Sequence, residues 1–115
     1  MSEFCCCCED AVTHARDILP GQNSIDVVSN VFKLFGEPTR AGILCALSRH
    51  RLCVSELASV LNMSSSAISH QLRLLKQTNM IQSCREGKNV IYSIADTRIE
   101  EIFNLALQYS EETAK

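Results

Sequence analysis

After Asn79 the spacing of apolar residues changes, and that change most limits what this chain can become. Up to Gln77 the apolar residues recur at three- and four-residue intervals, the signature of amphipathic helices. Beyond it Met80 to Cys84 and Asn89 to Ile94 read as strand-like runs, joined by the hydrophilic stretch Arg85-Glu86-Gly87-Lys88. That is a single hairpin with a basic tip, so the expected class is mainly α with one β-hairpin (α+β).

The helices can be placed from their punctuation. Glu9 to Leu19 fit one or two helical turns stopped by Pro20-Gly21, so residues 1–24 are expected to form an arm. Residues 25–115 then make up the folded domain. Its first helix should start at Ser24 as N-cap, run from Ile25 to Phe35 and stop at Gly36. Pro38 suits the start of a second helix that continues through Ala41 to Leu47. A short third helix fits Val54 to Leu61, with Leu57, Val60 and Leu61 on its apolar side. Asn62-Met63-Ser64 is a turn ending in an N-cap, and Ser65 to Gln77 form a fourth helix with Ile68, Leu72 and Leu75 turned inward. After the hairpin, Asp96 or Thr97 caps a last helix with apolar positions Ile99, Ile102, Phe103, Leu105, Ala106 and Tyr109. A short helix, a tight turn, a second helix and then a basic hairpin make a winged helix-turn-helix.

Composition excludes two classes. With 46% hydrophobic and 21% charged residues the chain of 115 residues buries a core and is not wholly disordered. No apolar run nears the roughly 20 residues a spanning helix needs, so no membrane partner is expected. The opening Met1-Ser2-Glu3-Phe4 lacks a basic stretch followed by an apolar one, and a cytoplasmic location is expected.

The net charge of −2 hides a division. Residues 40–91 hold seven Arg and Lys against Glu56 and Glu86, a net +5, while residues 1–39 carry −4 and residues 92–115 carry −3. A basic middle between acidic ends suits a surface that faces phosphates. Within it, Ser64, Ser65, Ser66, Ser69, His70, Gln71, Arg73 and Lys76 gather on the polar side of the fourth helix. Short serines let the backbone come close to DNA, while Gln71 and Arg73 reach base edges or phosphates. A solvated serine-rich helix would look similar taken alone; the short helix before it and the basic hairpin after it point to DNA. Arg85 and Lys88 at the wing complete the candidate contacts.

Seven cysteines are unevenly placed: Cys5, Cys6, Cys7 and Cys8 are consecutive, and Cys45, Cys53 and Cys84 stand apart. Adjacent cysteines and an odd count argue against a disulfide framework and for thiolate chemistry, either metal capture or redox sensing. Cys84, in the first wing strand, is expected to be structural.

Leu34-Phe35-Gly36-Glu37-Pro38-Thr39-Arg40, Val54-Ser55-Glu56-Leu57-Ala58, the run from Ser65 to Leu75, and Arg85-Glu86-Gly87-Lys88-Asn89-Val90-Ile91-Tyr92 resemble the ArsR/SmtB family of winged-helix repressors. The resemblance covers residues 28–112. It implies a homodimer that binds operator DNA and releases it when a metal ion or oxidant arrives. One family site, on the last helix, pairs an Asp-x-His with a later His-x-x-Glu; here Asp96 and Glu112 match, but Arg98 and Tyr109 replace the histidines. That site is expected to be inactive, with Asp96 serving as a helix cap.

A second site, that of the cadmium- and lead-responsive members, joins arm cysteines to a Cys-Val-Cys before the short helix. Here the stretch is Cys53-Val54-Ser55, one thiol short, and Cys5 to Cys8 are available in the arm. The expected metal ligands are therefore Cys5, Cys6, Cys7, Cys8 and Cys53. Thiolates prefer soft or borderline ions, so the expected effector is Cd²⁺, Pb²⁺ or Zn²⁺, with Cu⁺ as a further candidate. Alternatives are a redox or persulfide sensor, for which Cys45 matches one reactive thiol of such relatives, and, more distantly, a cytosolic metal buffer. No phosphate-binding glycine loop or nucleophile with a positioned base is present, so an enzyme is not expected.

Overall fold

The computed structural model describes residues 9–113. The elements are α1 (Glu9–Ile18), α2 (Gln22–Phe35), α3 (Pro38–Arg49), α4 (Val54–Leu61), α5 (Ser65–Gln77), β1 (Ile81–Glu86), β2 (Asn89–Ile94) and α6 (Thr97–Thr113). The chain divides into two compact units, one ending at Lys33 and one beginning at Leu34.

In the first unit α1 is longer than the expected one or two turns, at ten residues. α2 begins at Gln22, so Ser24 lies inside the helix and not at its cap, and the expected boundary at residue 24 falls within α2. The amide of Gln22 and the carboxylate of Asp26, one turn apart, bond at 2.9 Å and support this earlier start.

The second unit contains the helix-turn-helix and wing. Pro38 opens α3, where its missing N–H costs nothing, and the Glu37 carboxylate accepts from the Arg40 amide at 2.9 Å. α4 ends at Asn62, which takes a left-handed φ of 55°; the Met63 amide then reaches back to the Ala58 carbonyl at 2.9 Å. Ser64 caps α5 by accepting from the Ala67 amide at 3.1 Å. These two caps make the sharp turn between α4 and α5. Gly42 lets α3 lie close to α4, since a Cβ there would meet the end of the Leu61 side chain at 3.2 Å.

The core is built from Ile43, Leu44 and Leu47 of α3, Leu57 of α4, Ile68, Leu72 and Leu75 of α5, Ile81 and Ile94 of the hairpin, and Phe103 of α6. Phe35 packs its ring edge-on to Phe103, with centroids 4.7 Å apart. Val60, expected on the inward side of the short helix, is instead 61% exposed. Eight residues give α4 barely two turns, and its neighbours cover Leu57 and Ala58 but not Val60.

β1 and β2 pair antiparallel from Ile81 opposite Ile94 to Glu86 opposite Asn89, which leaves Gly87-Lys88 as the turn. Only the first of these two residues has positive φ, at 64°, the pattern of a type II′ turn that glycine allows at little cost. Leu52 adds an isolated bridge to Tyr92, with amide-to-carbonyl bonds of 3.1 and 2.8 Å. The connection from α3 to α4 is thereby tied to the wing.

Candidate functional site

α5 turns its buried stripe inward and leaves Ser64, Ser65, Ser66, His70, Arg73 and Lys76 exposed, with Ser69 and Gln71 half-buried. Two of these side chains also hold the unit together. Lys76 Nζ donates to Ser83 Oγ at 2.6 Å, joining α5 to β1. Gln71 Oε1 accepts from Arg40 Nη1 at 3.4 Å.

At the wing, Arg85 and Lys88 are exposed. Glu86, the acid between them, pairs with Arg51 at 2.5 Å. An exposed pair of this kind adds little stability. Its consequence is electrostatic: with Glu86 compensated by Arg51, the wing tip keeps the net positive charge of Arg85 and Lys88. Sequence reasoning counted Arg51 as part of a basic region but missed this pairing, because 35 residues separate the partners and no local pattern joins them.

The thiols occupy different settings. Cys53 is the residue before α4, half-buried, with its amide donating to Glu56 Oε1 at 2.9 Å and its Sγ 3.2 Å from Ser55 Oγ. The amide bond holds the Glu56 carboxyl below the usual range. Cys53, Val54 and Ser55 form one wall of a cleft of about 280 Å³ whose other wall is Lys88, Asn89 and Val90 of the wing. Cys45 is half-buried on α3, and burial pushes its thiol up, away from the reactive thiolate. Cys84, expected to be structural, is an exposed free thiol on β1 because its side chain falls on the solvent face of the hairpin. Cys5, Cys6, Cys7 and Cys8 lie outside the described residues. Among the described residues no group of three or more His, Cys, Asp or Glu side chains stands close enough to hold a metal ion.

Asp96 is the cap of α6, its Oδ1 accepting from the Arg98 amide at 2.8 Å. The Arg98 guanidinium also closes on the same carboxylate, with Nη2 2.6 Å from Oδ2. That side-chain bond, then the amide bond, lower the carboxyl to about 2. A depressed value contributes stability that is present above the ordinary range near 3.8 and is lost as pH falls toward 2. Asp96→Asn should therefore flatten the stability profile between about pH 4 and pH 2, read by denaturant titration. With Arg98 seated on the carboxylate, Asp96→Ala and Glu112→Ala should leave effector-driven release of DNA unchanged. Loss of release in a folded Asp96→Ala dimer would restore the α6 site.

A helix-turn-helix whose second helix presents small polar and cationic side chains, followed by a basic two-stranded wing, defines the winged helix-turn-helix class of transcription regulators. Residues 37–83 match the family model described as "Bacterial regulatory protein, arsR family". The chain is 31% identical over 112 residues to the transcriptional repressor SmtB homolog of Synechocystis, spanning 92% of this chain and 85% of that protein. It is 36% identical over 107 residues to the cadmium resistance transcriptional regulatory protein CadC homolog of Staphylococcus aureus, spanning 92% and 88%. The crystal structure of the AntR antimony-specific transcriptional repressor superposes with a TM-score of 0.74 at 31% identity, over 94% of this chain and 97% of that one. The chain belongs to the ArsR family.

Proposed function

We propose that this protein is a metal-responsive transcriptional repressor that acts as a homodimer on operator DNA and releases it when a thiophilic ion binds its cysteine thiolates. The observation that carries this is the position of Cys53: a half-buried thiol at the start of the helix-turn-helix, sharing a cleft with Lys88 of the wing. An ion held there acts on both DNA-facing elements at once. The names of the SmtB, CadC and AntR relatives agree with a regulator of this kind. Leu105 and Tyr109, left 66% and 69% exposed on α6, suit a helix that pairs with a second subunit.

One thiol does not make a soft-ion site, which needs three or four sulfur or nitrogen donors. Cys5, Cys6, Cys7 and Cys8, in the segment 1–24, supply the remaining sulfurs in this proposal, the arm of one subunit serving Cys53 of the other. Cd²⁺, Pb²⁺, Zn²⁺ and Cu⁺ suit such donors, and the antimony-specific neighbour adds antimony to the ions to be tried. A redox sensor built on Cys45 is disfavoured by the burial that raises its thiol. The protein acts in the cytoplasm and is not a catalyst.

The test is to titrate the reduced protein, bound to its own promoter DNA, with each of these ions and with a persulfide donor. Release by a soft ion supports the proposal; release by the persulfide donor alone overturns it. DNA contact by Ser64, Ser65, Ser66, Ser69, His70, Gln71, Arg73, Lys76, Arg85 and Lys88 is tested through salt. Lys88→Ala should weaken binding across sequences and lower the log–log salt slope by roughly one to two per dimer, at about 0.9 per phosphate contact. An unchanged slope takes the wing tip out of the interface.

A further inference from the structure

The guanidinium of Arg40 is held at two points. Its Nε donates to the carbonyl of Leu34 at 3.0 Å, in the last turn of α2, and its Nη1 donates to Gln71 Oε1 at 3.4 Å, on α5. The Arg40 backbone is fixed as well, through its amide bond to Glu37. Both Arg40 and Gln71 are half-buried, whereas His70 and Arg73 beside Gln71 are exposed. Gln71 is thus the hydrogen-bonding side chain of α5 whose amide is oriented from within the protein.

The orientation follows from chemistry. Arginine has donors and no acceptor, so the amide atom facing it must be the oxygen; a reversed amide would set N–H against N–H. With Oε1 committed to Arg40, the NH₂ group is turned away from α3. A free glutamine reads adenine by two parallel bonds, its oxygen accepting from N6 and its nitrogen donating to N7. An oxygen already accepting from a guanidinium keeps one lone pair, but the cation beside it repels a second donor.

We propose that Arg40 is a positioning residue that makes Gln71 a donor-only reader, so that α5 selects a base whose major-groove edge carries acceptors and no donor, guanine or thymine, over adenine, whose N6 donor lies beside its N7. The proposal rests on α5 being the helix that faces DNA and deepens that reading into a base preference. Guanine offers N7 and O6 and thymine offers O4, whereas cytosine presents only a donor.

The experiment is selection from a randomised duplex pool by the full-length protein, comparing wild type with Arg40→Met, Gln71→Leu and Gln71→Glu. Wild type should enrich guanine or thymine at one position of each half-site, and Gln71→Leu should lose the preference at that position alone. Arg40→Met frees the amide oxygen and should raise acceptance of adenine there by roughly tenfold, the rest of the site being unchanged. Gln71→Glu keeps the pairing with Arg40 but has no donor, and should switch the position to cytosine or adenine. This last variant leaves Arg40 in place, so it decides the matter even if Arg40→Met fails to fold. A Gln71-dependent adenine preference in wild type, or no switch in Gln71→Glu, overturns the proposal while leaving α5 as the DNA-reading helix. No sequence enrichment by wild type removes both.

Discussion

Cys53→Ser should bind operator DNA with wild-type affinity yet remain on it when Cd²⁺ or Pb²⁺ is added. Serine keeps the shape of the residue and the amide bond to Glu56, so α4 should start where it does now. What is lost is the soft donor that the helix-turn-helix contributes. An ion releases DNA only by binding the weakly DNA-binding conformation more tightly than the tightly binding one. Moving the population from one to the other almost completely requires a difference of roughly 10⁴-fold in ion affinity, and an ion held by the arm alone has no hold on the wing cleft. The ultraviolet thiolate-to-metal absorption should fall in the same variant. Replacing Cys5, Cys6, Cys7 and Cys8 together by serine should give the same phenotype, while single arm replacements are masked by neighbouring thiols. Full release of Cys53→Ser by the inducing ion would discard this site and leave the arm or Cys45 as the sensor.

The second large effect concerns the anchoring of the recognition helix. Leu72 is 1% exposed and sits between Ile68 and Leu75 on the inner face of α5. Leu72→Ala should cost roughly 3 kcal/mol, the sum of lost apolar burial and the cavity left behind. In a domain of this size that is a large share of total stability. It should be read as a lowered denaturant midpoint at fixed protein concentration, because dimer stability depends on concentration. Val60→Ser, at a position that periodicity alone would place inside, should change stability by no more than about 0.5 kcal/mol. A destabilised Val60→Ser beside an unaffected Leu72→Ala would reverse the assigned faces of α4 and α5.

The contrast between these two residues shows where local information ends. Ser64 as a cap, Asp96 as a cap, Pro38 at a helix start and Gly87 in the wing turn were legible because each acts within four residues of itself. The inward stripe of α5 was legible because thirteen residues give enough turns for a period to repeat. The winged helix-turn-helix was legible too, from the order of the elements and the basic hairpin, and the family resemblance added Cys53 and the arm cysteines as the ligands to be tested. The end of the arm was not, since α2 starts at Gln22 and runs across the expected boundary.

Tertiary packing decided the rest. In α4, with only eight residues, Leu57, Val60 and Leu61 define one apolar side, and only the placement of α3, α5 and β2 determines which of them is covered. Arg40 on Gln71, Arg51 on Glu86 and the cleft shared by Cys53 and Lys88 each join residues more than thirty positions apart. Caps and periods are short-range properties of the backbone, readable one turn at a time. These pairings exist only once the helices have packed and brought distant side chains together, so the orientation of Gln71 and the link from thiol to wing belong to the folded molecule.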